Sequence, residues 1–303
     1  MEAVSREASC ATGRPYGVLR VCAAWGTPRS SFYLRRERGR VPAQDQRGPH
    51  KRGPKTALSD EVLLGLIRDC LAASPFAGEG HRKAHAYLRI ERGVRVGRAR
   101  VLRLMRENAL LSPYRRFCND PYAHNGTITT DAPNVVWGTD GFRVQTVDEG
   151  WVWGFIAVDH FNSECVGHHV CKEGSRFNAL EPLRMGLQKI FGAAGRDAAL
   201  GLALRMDHGC QYTSDHFLNQ IAYWGIAQSF SFVAQPQGNG IAERFIKTLK
   251  QQAIYGHVFR NVEEVHHTVA AFVERYNHHW RIERLRFLTP EEARNLALQE
   301  QAA

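Results

Sequence analysis

Three acidic residues have the types and spacing to do phosphoryl chemistry. Asp140 follows the short apolar run Val135-Val136-Trp137-Gly138-Thr139, and Asp207 follows Gly201-Leu202-Ala203-Leu204-Arg205-Met206. Glu243 lies 36 positions beyond Asp207, behind the loop-forming Gln235-Pro236-Gln237-Gly238-Asn239-Gly240. From there Ile241, Phe245 and Leu249 recur at i, i+4 and i+8, so Glu243 falls in the first turn of an amphipathic helix. A carboxylate there also suits the helix dipole, which is the purely structural reading of Glu243. Three carboxylates from separate elements suit hard divalent cations with oxygen ligands, such as Mg²⁺. Two such ions stabilise the attacking and leaving oxygens of an in-line phosphoryl displacement.

The elements that must position these acids are legible in outline. Residues 134–147 and 151–158 alternate as a hairpin turning at Asp148-Glu149-Gly150, and 166–171 give a third strand. A helix over 178–191, a strand over 200–206, a helix over 215–224 and a strand over 226–232 precede the Glu243 helix. Ser214 and Asp215 read as a helix cap. Residues 262–276 and 291–298 form two last helices. The order strand, strand, strand, helix, strand, helix, strand, helix resembles a ribonuclease-H-like α/β fold with a mixed sheet.

The words Trp137-Gly138-Thr139-Asp140, Met206-Asp207-His208-Gly209-Cys210-Gln211-Tyr212 and Gly238-Asn239-Gly240-Ile241-Ala242-Glu243 resemble the Asp, Asp, 35, Glu signature of retroviral integrases and bacterial transposases. The flanking residues are most similar to the second reading frame of the insertion-sequence-3 family. The resemblance implies a transposase with Asp140, Asp207 and Glu243 as catalytic residues and ligands of two Mg²⁺ or Mn²⁺ ions. It implies metal-dependent strand cleavage and strand transfer on double-stranded DNA, by water and then by a 3′-hydroxyl. It also implies a homo-oligomer and a partner from the upstream frame, a helix-turn-helix and leucine-zipper segment separate or fused. The alternative reading is a DNA-binding regulator that keeps the fold without the activity.

Charge divides the chain. Of its 303 residues and net charge of +10, residues 1–130 hold 24 Lys+Arg against 11 Asp+Glu, and residues 131–303 hold 16 against 19. The first part therefore suits a polyanion. Its expected organisation is a basic region and linker over 1–57, with Arg35, Arg36, Arg38 and Arg40, then a helix-turn-helix-like domain over 58–115. A linker over 116–130, a catalytic core over 131–255 and a helical extension over 256–303 follow. Ser59 with Asp60 and Glu61 opens the small domain as a helix start, and helices over 80–89 and 97–109 complete it. On the last, Arg100, Arg103 and Arg106 repeat every three residues. This is a DNA-contacting face, or else the charged surface of an ordinary three-helix unit. Lys247 and Lys250 share a helix face with Glu243 and are expected to hold the donor DNA beside the acids, or else to be surface charge.

Other candidates are weaker. His160, Cys165, His168, His169 and Cys171 fit no common zinc spacing. His208 is of second rank, and Asp159 matches no catalytic position. Seven cysteines without a C-x-x-C pair point to reduced thiols in a cytoplasm, at the nucleoid for a DNA-binding chain. No apolar run approaches a membrane span.

Overall fold

The computed structural model describes residues 1–40, 58–113, 129–230 and 239–302. The chain forms two compact units, Met1–Ala57 and Leu58–Ala303. Gln235–Gly238, which precede the Glu243 helix, fall outside the described residues.

The first unit holds α1 (Glu2–Arg6), α2 (Gly17–Ala24) and α3 (Arg29–Arg40). Val21, Cys22 and Phe32 are its buried apolar residues. Arg36 pairs with Glu2 at 3.2 Å, and Arg35 is exposed. The side chains of Arg38 and Arg40 lie outside the description.

The second unit opens with α4 (Asp60–Ala73), α5 (His81–Ile90) and α6 (Arg98–Glu107). Ser59 caps α4 by accepting the Val62 N–H, as its sequence position predicts. Leu63, Ile67, Ala84, Leu88, Val101 and Met105 are fully buried and fill the centre of the three helices. Phe76, in the α4–α5 turn, instead enters the core of the larger sheet, where it meets Phe272 and Trp280 edge-on. Gln252 closes the same contact, its amide bonding both the N–H and the C=O of Ala77.

The sheet has five strands in the order β3-β2-β1-β4-β5. β1 (Val136–Thr146), β2 (Gly150–Asp159) and β3 (Cys165–Cys171) form an antiparallel meander. Gly150 takes φ +71 at the hairpin turn, a conformation open to glycine. β4 (Ala203–Met206) and β5 (Ala227–Phe230) add in parallel through the crossovers α7 (Arg176–Phe191) and α8 (Asp215–Tyr223). Ser175 and Ser214 cap these helices.

Alternation along the strands divides the core into two layers. Phe142, Val144, Val152 and Ile156 face α9 (Gly240–Leu249) and α10 (Val262–His279). Trp137, Phe155, Ala157 and Val166 face α7 and α8. The chain closes with α11 (Pro290–Ala302), which is tied back by Arg294 to Asp159 and Glu164. The result is the mixed α/β architecture expected from the sequence, with a small helical domain ahead of the sheet.

Candidate active site

The site is built on the parallel pair at the centre of the sheet. β1 and β4 pair over Val136↔Ala203, Trp137↔Leu204 and Gly138↔Arg205. Asp140 and Asp207 each follow this pairing, so the two strands deliver both carboxylates to one end of the sheet. Asp140 is half-buried, and its Oδ1 accepts the Gly141 N–H at 2.7 Å. Burial pushes its carboxyl up to about 6, assisted by the charges of Asp207 and Glu243 and opposed by the Gly141 bond and Lys250. Asp207 is exposed, and its Oδ1 accepts the Gly209 N–H at 2.9 Å. Tyr212 is fully buried, and its hydroxyl is raised by burial and by the charges of Asp140 and Asp207.

Glu243 arrives from α9. Asn239, just ahead of that helix, is buried and donates from Nδ2 to the carbonyl of Thr139 at 2.8 Å. That bond fastens the start of α9 to the residue before Asp140. Gly138 makes room for it: a Cβ there would stand 2.7 Å from Asn239 Oδ1. Glu243 is exposed in the first turn of α9, and partial burial raises its carboxyl. Sequence reasoning had Asn239 inside a motif but could not see its reach across one hundred residues.

The two expected lysines separate. Lys250 shares a groove with Asp140 and Asp207, and its ammonium lies 6.0 Å from the Phe142 ring. It begins a π-helical turn, Lys250–Ile254, that ends α9; such turns are frequent at functional sites. Lys247 is exposed, and the structure shows no Glu243–Lys247 ion pair.

The expected basic face of α6 is partly neutralised. Arg100 and Arg103 both pair with Asp60, and Arg103 also with Glu107 at 2.9 Å. Arg106 is exposed. Asp159 is wholly buried and accepts the N–H groups of Asn134 and Phe161, a structural role. Among the described residues, only Glu263, His266 and His267 on α10 bring three ligand atoms within 4.8 Å of one another. The Asp140, Asp207 and Glu243 carboxylates are therefore more open than that, and the His160–Cys171 group does not gather.

Comparison with known proteins bears on the class of the chain. Integrase core domain families match residues 130–236 and 224–290, and an HTH-like domain family matches residues 58–117. The transposase for insertion sequence element IS904 of Lactococcus lactis is 25% identical over 244 residues, covering 75% of this chain and 90% of the relative. Transposase InsD of insertion element IS2 from Escherichia coli is 26% identical over 187 residues, 58% of this chain and 60% of the relative. Among solved structures, the catalytic core domain of BIV integrase superposes with a TM-score of 0.40 at 19% identity, covering 56% of this chain and 97% of that one. The chain is thus an integrase-core protein carrying an HTH-like domain, a combination that implies DNA binding and strand chemistry. It is similar to insertion-sequence transposases, in keeping with the insertion-sequence-3 resemblance.

Proposed function

We propose that this chain is a transposase that cuts the ends of an insertion sequence and joins them to new DNA, with Asp140, Asp207 and Glu243 as its catalytic residues. The observation that carries this reading is the parallel β1–β4 pairing, which ends just before both aspartates, with α9 fastened to β1 through Asn239. The all-oxygen donor set fits Mg²⁺ or Mn²⁺, and the raising of Asp140, by burial first and then by the charges of Asp207 and Glu243, fits a site that takes up positive charge. Asp140 and Asp207 would be shared ligands, with Glu243 completing a second ion. Bound divalent ions would supply charge stabilisation for the attacking and leaving oxygens. Lys250 would hold the phosphate of the donor strand, and Lys247 the backbone further out. On α6, Arg106 would meet duplex phosphates directly, while Asp60 holds Arg100 and Arg103 in place beside it. Self-association and a partner from the upstream frame belong to the same proposal.

The test uses the full chain, Mg²⁺ or Mn²⁺, and a labelled duplex carrying the element's ends. Asp140→Asn, Asp207→Asn and Glu243→Gln should each abolish cleavage and keep DNA binding, because an amide preserves shape but not charge. Near wild-type cleavage by any one variant removes that residue from the mechanism. A wild-type chain that binds the ends and never cuts them is a regulator.

A further inference from the structure

Beyond the acids and Lys250, the same groove has a lining to which the proposed reaction gives no role. β1 is 11 residues long yet pairs with β4 only as far as Gly138. From Asp140 to Gln145 its outer edge has no strand partner among the described residues, until the single bridge from Thr146 to Phe259. A groove of about 930 Å³ follows this bare edge, from Asp140 and Asp207 to His257 and Phe259.

Arg143, Trp151 and Trp153 line one side. The hairpin register sets Arg143 opposite Trp153 and Gln145 opposite Trp151, which puts these side chains on one face. The Arg143 guanidinium lies 5.1 Å from the Trp153 ring and 5.8 Å from the Trp151 ring. Lys250 and Tyr255 stand among the remaining lining residues. Trp151 is 56% exposed and Tyr255 63% exposed. Two exposed aromatic residues and two cations along one groove match a chain of planar bases joined by phosphates. Unpaired nucleotides are bound in this way, by stacking on aromatic rings along a basic groove. A duplex hides its base faces in the stack, and a peptide added to the edge would have no use for both cations.

We infer that this groove binds an unpaired DNA strand running away from the reacting phosphate, with bases stacked on Trp151 and Tyr255 and phosphates on Arg143 and Lys250. The inference rests on the proposed function for naming DNA as the ligand. It adds that the end must be opened before or during the reaction.

The experiment measures equilibrium binding of the full chain, in a chelator so that nothing is cut. Two duplexes of one sequence are compared: one blunt, one ending in a single-stranded tail. Wild type should prefer the tailed duplex roughly tenfold, the scale of one stacked base. Trp151→Ala should bring the tailed duplex down to the affinity of the blunt one, and Trp151→Phe should restore most of the preference. Equal wild-type affinities, or an undiminished preference in Trp151→Ala, would overturn the inference. Cleavage with Mg²⁺ is read separately. A chain that prefers tails and never cuts keeps the groove and loses the proposed reaction. A chain that cuts without preferring tails keeps the reaction and loses the groove.

Discussion

Asp140 and Asp207 each stand two residues past Gly138 and Arg205, the last paired positions of β1 and β4. A backbone ladder therefore sets where both residues leave the paired part of the sheet. A shift of one residue in that ladder would turn one carboxylate to the opposite face of the sheet.

The first prediction concerns the third carboxylate, which no ladder holds. Asn239 bonds the Thr139 carbonyl and so ties α9 to β1. Asn239→Ala should lower the cleavage rate about a hundredfold, the cost of displacement by roughly an ångström, with DNA affinity little changed. Gly138→Ala should act likewise, since its methyl would sit 2.7 Å from Asn239 Oδ1 and 2.9 Å from His160 Nε2. Single-turnover cleavage and a binding isotherm for each variant decide it. A rate that falls only in step with affinity would make Asn239 an ordinary packing residue.

Second, Lys250 and Lys247 should not be equivalent. Lys250 lies in the groove and lowers the Asp140 carboxyl, whereas Lys247 lies outside that lining. Lys250→Ala should therefore damage end joining far more than DNA affinity, while Lys247→Ala should weaken binding slightly and reduce its salt slope by about one unit. Joining yields measured at saturating DNA separate the two. Equal losses would reduce both lysines to generic charge.

Third, α11 should be required for stability. Arg294 is 7% exposed and bonds two buried carboxylates, Asp159 and Glu164. Burial alone would raise the Glu164 carboxyl, but Arg294 and then Lys189 outweigh it and hold the group below its usual range. Arg294→Met leaves both acids short of a partner and should cost about 3–5 kcal/mol in urea unfolding. A loss below ~1 kcal/mol would mean that water serves the acids as well as the guanidinium does.

Fourth, Lys83 should make stability depend on alkaline pH. Its ammonium sits 2.9 Å from the Trp280 ring centre and 2.9 Å from Glu79. Burial pushes it down to about 8, against the pull of Glu79. An unfolded lysine keeps its proton to about 10.4. Between those values the unfolded chain holds a proton that the folded chain has released, so this site's contribution to stability is lowest below about 8 and rises with pH across the window. The stability difference between wild type and Lys83→Met should climb over that range. A flat difference would show that Lys83 stays charged when folded.

The sequence carried what local chemistry writes. The β1–β2 hairpin, the Ser59 and Ser214 caps, and the apolar stripes of α4 to α6 follow from alternation, capping and helical period. The acids were legible because their neighbours read as a strand, a strand end and a helix start. What was not legible depends on partners far along the chain. Arg100 and Arg103 looked like a free basic stripe, and Asp60, forty residues earlier, claims both. Arg143, Trp151 and Trp153 alternate like any surface strand. Only the shortness of β4 leaves an open edge beside them.

Phe76 gives the helical domain a consequence for measurement of length. Its ring is buried in the sheet's own core, Gln252 grips Ala77 from both sides, and Arg82 meets Glu283 at 2.6 Å. The three-helix domain is therefore docked rather than tethered. If α6 grips a duplex, the number of base pairs from that grip to the bond facing Asp140 is a ruler cut into the fold.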